Sequence, residues 1–188
     1  MPPSQYLAPG DGLLVVDVQN DFCPGGALPI PEGDEVVPVI NEWTAAARSL
    51  SLPVYFSRDF HPQQHPSFQG HGGEWPVHCL QDTWGARFHN DLTIPEEALF
   101  VTKGVRFDKD QNSALDETGL THQLARDGVK RLFVAGLALD VCVWATVEDS
   151  LKAGLETWLI REGCRAVTED SGSKALDAMQ ELGCTIIR

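Results

Sequence analysis

The 188-residue chain reads as an α/β protein: a three-layer αβα arrangement around a mainly parallel sheet of about six strands, Rossmann-like in plan. Three observations predict this. Short runs at 12–18, 53–57, 98–102, 131–135, 156–160 and 184–187 are apolar, rich in β-branched residues and not alternating, as in strands buried on both faces. Amphipathic stretches at 34–50, 113–127, 140–153 and 172–182 fall between most of them. Gly128, Gly154 and Gly183 follow the last three, where a helix closes on a residue free to turn left-handed. Strands alternating with helices pair in parallel and carry helices on both faces of the sheet.

Taken in order, the first run carries Asp17 near its end, and the helix at 34–50 leads back to the second run, which delivers Asp59 and His61. The rhythm then breaks. Residues 59–95 hold His61, His65, His71, His78 and His89, two tryptophans and the glycine cluster at 70–73, with no period of either kind. A long irregular stretch inside a compact domain is usually functional or disordered, and histidine, tryptophan and cysteine favour function. The third run ends at Lys103, and the helix at 113–127 returns the chain to the fourth, 131–135, which turns at Gly136 into the helical stretch containing Cys142. Two further strands and a helix complete the sheet.

The length suits one domain spanning 1–188, large enough to fold without disulfide or structural metal. Fourteen Lys and Arg against 27 Asp and Glu give a formal charge of −13, which repels nucleic acid and anionic membrane alike and leaves small molecules and metal ions as the expected partners. The first residues lack a basic and an apolar leader region, and no apolar run approaches the ~18 residues of a membrane span. A cytoplasmic location is the expectation. Five scattered cysteines with no Cys-x-x-Cys argue against a disulfide framework. A parallel-sheet enzyme of this size often pairs through exposed helices, so a homo-oligomer is compatible with the chain.

In open parallel sheets ligands bind beyond the carboxyl ends of the strands. Asp17, Asp59 with His61, Lys103 and Cys142 all stand there, on one rim. Cys142 opens a helix, where a thiolate is stabilised, and Lys103 adds a positive charge. Asp17 can take and return a proton, and no histidine on the other strand ends is positioned to be the usual base, so the carboxylate takes that role by elimination. The structural alternative is a buried Asp17–Lys103 ion pair, which stabilises weakly if at all. Asp59 and His61, at i and i+2, leave the same face of an extended chain. With His78 they make two histidines and a carboxylate, a set that binds a divalent metal and leaves positions open. Zinc, iron and manganese all accept such ligands, and the residues alone do not choose among them. His65 and His71 are offset candidates for a fourth ligand, with water the other option; each reads first as a solvated loop histidine.

Five ordered motifs carry a resemblance. Leu14-Val-Val-Asp17-Val-Gln-Asn-Asp-Phe22-Cys-Pro-Gly-Gly, Ser57-Arg-Asp59-Phe-His61-Pro, Glu74-Trp75-Pro-Val-His78-Cys, Thr102-Lys103-Gly and Gly136-Leu-Ala-Leu-Asp-Val-Cys142-Val are similar to those of the isochorismatase-like cysteine hydrolases, in their nicotinamidase and pyrazinamidase branch. The resemblance implies an isochorismatase-like fold and hydrolysis of nicotinamide to nicotinic acid and ammonia through a thioester, in the salvage of pyridine nucleotides. It implies Asp17, Lys103 and Cys142 as catalytic triad, and Asp59, His61 and His78 as ligands of one metal ion that holds the pyridine nitrogen. It further implies Phe22 and Trp75 flanking the ring, Leu137 at the substrate, a cis bond between Leu137 and Ala138, and an oxyanion hole from the backbone N–H groups of Ala138 and Cys142. Leu139 departs from the pattern, standing where many members carry threonine. The nearest rival is an amide hydrolase of the same scaffold acting on an N-carbamoyl or ureido compound, which works without the Asp59, His61 and His78 set. A non-catalytic ligand-binding relative and a vinyl-ether hydrolase are further readings.

Overall fold

Six strands, all parallel, make one sheet in the order β3-β2-β1-β4-β5-β6. They are β1 (Asp11–Val16), β2 (Val54–Asp59), β3 (Leu99–Lys103), β4 (Arg131–Leu137), β5 (Glu156–Arg165) and β6 (Thr185–Ile187), with helices α1 (Val36–Ser49), α2 (Leu120–Arg126), α3 (Trp144–Lys152) and α4 (Glu169–Glu181) between them. The computed structural model describes residues 1–188. From β1 the chain steps outward one way to β2 and β3, and from β4 the other way to β5 and β6. Right-handed crossovers therefore place α1 on one face and α2, α3 and α4 on the other. The reversal between β1 and β4 opens a crevice at their carboxyl ends, the usual ligand position in such sheets.

The central strands are apolar on both faces because both are covered. All six residues of β1 are buried, as are Leu132 to Leu137 of β4. Trp43 of α1 lies 5.3 Å from the Phe133 ring, and Tyr6 stacks on Trp43 at 5.8 Å, closing that face. The buried hydrophobic side chains form one continuous cluster that includes Phe22, Ala138 and Cys142. The site is thus an edge of the core itself, and its walls inherit the core's packing. No helix is long and apolar enough to cross a membrane.

Two elements differ from the sequence expectation. The helix expected over 113–127 is regular only from Leu120, because Glu117 and Gly119 adopt positive φ (54° and 81°) and Ser113 and Thr118 turn their hydroxyls onto nearby backbone groups. The fifth strand runs past 160 to Arg165, with a register shift against Val134 and Gly136 where Gly163 passes close to the Ala135 side chain. The stretch 59–95 is ordered: 3-10 turns at Gln69–His71 and Trp84–Ala86 and isolated bridges His61 to Leu80 and Phe68 to Trp75 fold it over the strand ends.

Candidate active site

Asp17 follows β1 directly, in a left-handed conformation (φ 50°) that turns its side chain under the sheet rim. The Ser57 hydroxyl donates to its Oδ1 at 2.8 Å, and the Lys103 ammonium reaches its Oδ2 at 2.7 Å. Lys103, fully buried at the end of β3, also reaches Asp59 Oδ1 at 2.7 Å and lies 3.6 Å from Cys142 Sγ. The sequence separates a nucleophile group from a metal group; in the structure Lys103 joins them. The ligand atoms of Asp17, Asp59 and Cys142 lie within 4.8 Å of one another.

The electrostatics follow from this crowding. Burial pushes the Asp17 carboxyl up to about 6, with Lys103 pulling it back and Asp59 adding to the rise. Burial acts the same way on Asp59, yet Lys103 and His61 outweigh it and hold that carboxylate well below its usual range. Burial would lower Lys103, but the two carboxylates keep it charged. Burial also raises the Cys142 thiol well above its ordinary value; Lys103 opposes this, and Asp17 and Asp59 reinforce it. The helix start and Lys103 favour a thiolate, but the two carboxylates and burial work against it. One cation facing two anions, in a dry environment, leaves sulfur protonated beside a base.

Cys142 sits in a π-helical turn, Leu139–Val143, that runs directly into α3. The Ala138 carbonyl accepts from the N–H groups of Val141 and Val143, both at 3.1 Å. The peptide bond between Leu137 and Ala138 is cis, as the resemblance implies.

Asp59, His61 and His78 present ligand atoms all within 4.8 Å of one another. The Nδ1 of His61 bonds the Gly104 carbonyl and that of His78 the Pro76 carbonyl, each at 2.7 Å. Carbonyls only accept, so Nδ1 carries the proton, and in the neutral imidazole that a metal binds Nε2 is the nitrogen with the lone pair. His65 is fully buried, stacked on His61 with ring centroids 3.9 Å apart, and its Nε2 has no hydrogen-bond partner. With His61 and Asp110 it forms a second ligand set. An orphaned buried nitrogen beside two oriented imidazoles and an ionised carboxylate fits a divalent cation. His71 is exposed at the end of a 3-10 turn and stands apart from these sets. The solvated reading holds for His71 and fails for His65.

Both groups open into one small cavity of about 60 Å³, walled by Phe22, Leu28, Ile30, Trp75, Val141 and Val167, with Asp59, His78, Ala138 and Cys142 on its polar side. Its size suits a small ring. Phe22 stands 5.6 Å from the His78 ring. Leu137 is not part of this wall: its side chain is fully buried, with Cδ1 turned toward Gly33, because the last residue of β4 faces the core while its neighbour Ala138 faces the cavity.

Several supports were missed in the sequence. Gln19 accepts from the Asp59 N–H (2.8 Å) and donates to the carbonyls of Asp59 and Ala86 (2.7 and 2.8 Å), aligning strand end and loop. The Asp21 carboxylate accepts from the N–H groups of Ala27 (2.9 Å) and Cys79 (2.7 Å). Gln111 accepts from the Gly104 N–H at 3.1 Å and gives its carbonyl to Lys103 at 3.3 Å. Gln19 and Asp21 stand in the first motif, between Asp17 and Phe22, and that position is the signal that could have found them.

Residues 11–188 match the isochorismatase domain. A nicotinamidase of Escherichia coli is 36% identical over 95% of this chain and 94% of its own length, and a nicotinamidase/pyrazinamidase of Mycobacterium tuberculosis is 33% identical over 93% and 97%. A pyrazinamidase of Pyrococcus horikoshii, solved in complex with zinc, superposes with a TM-score of 0.93 at 39% identity over 96% of this chain and 99% of that one. The domain match runs from the first residue of β1 to the end of the chain, over the same strand ends that gather Asp17, Asp59, Lys103 and Cys142, and the chain belongs to the isochorismatase family.

Proposed function

We propose that the chain hydrolyses nicotinamide to nicotinic acid and ammonia, with Cys142 as nucleophile, Asp17 as proton carrier and Lys103 as the cation that orients them. One observation carries this reading: Cys142, backed by the buried Lys103 and Asp17 pair, lines one small cavity together with Asp59 and His78 of the metal set and the aromatic side chains of Phe22 and Trp75. The likeness to nicotinamidases and to the zinc-bound pyrazinamidase supports it.

The ring lies between Phe22 and Trp75 with the carboxamide carbon facing Cys142 sulfur, an orientation that removes much of the entropic barrier. As sulfur attacks, its proton passes to Asp17 and the carbonyl electrons move onto oxygen, which the backbone N–H groups of Ala138 and Cys142 receive. Each such donor contributes about 2.7–4 kcal/mol to transition-state stabilisation. The carbon–nitrogen bond then breaks, Asp17 returns the proton to nitrogen, and ammonia leaves a thioester. Asp17 next takes a proton from water as the oxygen attacks that carbon. Collapse frees the Cys142 sulfur, which recovers the proton, and nicotinate departs. A divalent cation held by Asp59, His61 and His78, zinc first and iron or manganese by the same ligand chemistry, would supply a Lewis-acid anchor for the pyridine nitrogen.

The test is ammonia release by purified protein from nicotinamide, with and without chelator, beside an N-carbamoyl compound. Release from nicotinamide that falls on chelation and vanishes in Cys142→Ala is expected. Release from the N-carbamoyl compound alone, or full activity in a folded Cys142→Ala protein, overturns the proposal.

A further inference from the structure

We infer that Asp140 is a positioning residue for the oxyanion site, holding the nucleophile turn against the first turn of α4. The inference rests on the reading of Cys142 as nucleophile and of the Ala138 and Cys142 N–H groups as oxyanion donors.

Asp140 lies inside the five-residue π-helical turn, between those two donors. Its side chain is not part of the cavity wall, and both carboxylate oxygens are used: Oδ1 accepts from the Val167 N–H at 3.0 Å, and Oδ2 accepts from the Ser171 hydroxyl. Ser171 is itself fixed. Its N–H donates to the Thr168 hydroxyl at 3.1 Å, the N-cap bond of α4, and the two hydroxyl oxygens lie 2.6 Å apart. The contact between turn and helix is close: a Cβ at Gly172 would meet Ala166 Cβ at 2.7 Å and Leu139 Cδ2 at 3.7 Å. The turn is therefore held from inside by the Ala138 carbonyl, which accepts from Val141 and Val143, and from outside by Asp140. Val167, one of the two groups that Asp140 grips, is also a wall of the cavity beside Val141.

This arrangement has a specific chemical use. A single π-helical turn of five residues is not carried by a long run of repeating hydrogen bonds, so the aim of its N–H groups depends on outside supports. An oxyanion donor stabilises only where it points at the position the oxygen takes in the tetrahedral state, and a small misalignment is felt there more than in substrate binding. Loss of the Asp140 tie is therefore a loss in kcat with KM nearly unchanged. A side chain that merely caps α4 would lower thermal stability and leave that ratio alone.

The experiment compares wild type with Asp140→Ala, Asp140→Asn and Ser171→Ala, each checked for folding by circular dichroism. For each, kcat and KM for nicotinamide are measured with the binding of two probes: pyridine-3-carbaldehyde, whose carbonyl carbon bonds Cys142 sulfur and puts a tetrahedral oxygen on the donors, and nicotinate. In Asp140→Ala, kcat and aldehyde affinity fall together by ~10–100-fold, short of the ~10²–10³-fold that removing an oxyanion donor outright costs because both donors stay present but misaimed, while KM and nicotinate affinity stay within about twofold. Asp140→Asn keeps an acceptor for Val167 and recovers most of the loss. Ser171→Ala, which breaks only one of the two bonds, falls between wild type and Asp140→Ala, and it carries the test if Asp140→Ala does not fold. Unchanged kcat and aldehyde affinity in the folded variants, or an equal loss of aldehyde and nicotinate affinity, overturns the inference. The aldehyde arm needs no turnover, so a wild-type protein that binds aldehyde without releasing ammonia fails the functional reading alone and leaves the Asp140 comparison decisive.

Discussion

Cys142 sulfur faces one ammonium and two carboxylates, and that imbalance sets how the site responds to pH. Asp17 is useful as a proton acceptor only while ionised, and burial has moved its ionisation up to about 6. Above that value the base is ready; as pH falls through it the carboxyl takes a proton from solution and cannot take one from sulfur. Accordingly kcat/KM is expected to fall roughly tenfold per unit below pH about 6 at saturating metal, read from a pH–rate profile. A profile flat down to pH 4.5 would remove Asp17 from the role. Lys103→Met tests the cation. It leaves Asp17 and Asp59 buried without their shared partner, so the fold should lose about 3–5 kcal/mol, measurable in urea, and melt roughly 10 °C lower. At this scale the sequence was informative about residue type and location, since Asp17, Asp59, Lys103 and Cys142 all stand at strand ends. It was silent on the protonation of Cys142, because the sign of that shift depends on how two carboxylates and one ammonium share a volume that only folding creates.

Elements deliver those residues, and the short turns after the strands fix their aim. Gly104, the first residue past β3, has φ +67°, and a Cβ there would lie 2.4 Å from His61 Cε1 and 2.6 Å from its Nδ1. Gly104→Ala is therefore expected to push the His61 ring aside and to lower metal content at limiting metal, by elemental analysis, with less effect on the melt than Lys103→Met. Retention of full metal content would separate His61 orientation from this turn. Strand positions were legible because runs such as 131–135 have no polar interruption, and the helix over 36–49 because its apolar residues recur at helical spacing. The start of α2 was not, because 113–118 has a helical pattern that Glu117 and Gly119 break by backbone conformation. The resemblance implied Leu137 at the substrate, yet neighbouring residues at a strand end face opposite ways, and only the three-dimensional turn sets Ala138 rather than the Leu137 side chain against the cavity.

Across the whole molecule, the metal ligands come from a strand end and a distant part of one long loop, so the set exists only when the chain is folded. A cation that binds the folded state alone raises stability by about 2.7 kcal/mol at a hundredfold excess over its Kd. The melting temperature is thus expected to rise with zinc concentration and to drop by several degrees in chelator; a melt indifferent to both would argue against the Asp59, His61 and His78 set as a metal site. The sheet order was only partly legible: parallel pairing follows from the alternation of elements, but the reversal between β1 and β4 depends on crossovers that no local pattern encodes. The five cysteines show the same dependence on folding, since each is buried without a disulfide. Burial lifts Cys23 and Cys164 to about 12 and Cys184 to about 11, and holds Cys79 and Cys142 well above their ordinary value. Peroxide and disulfide reagents attack thiolates. A resting chain with none to offer is a poor target for oxidants, and its nucleophile becomes vulnerable chiefly while a fitting electrophile is in place.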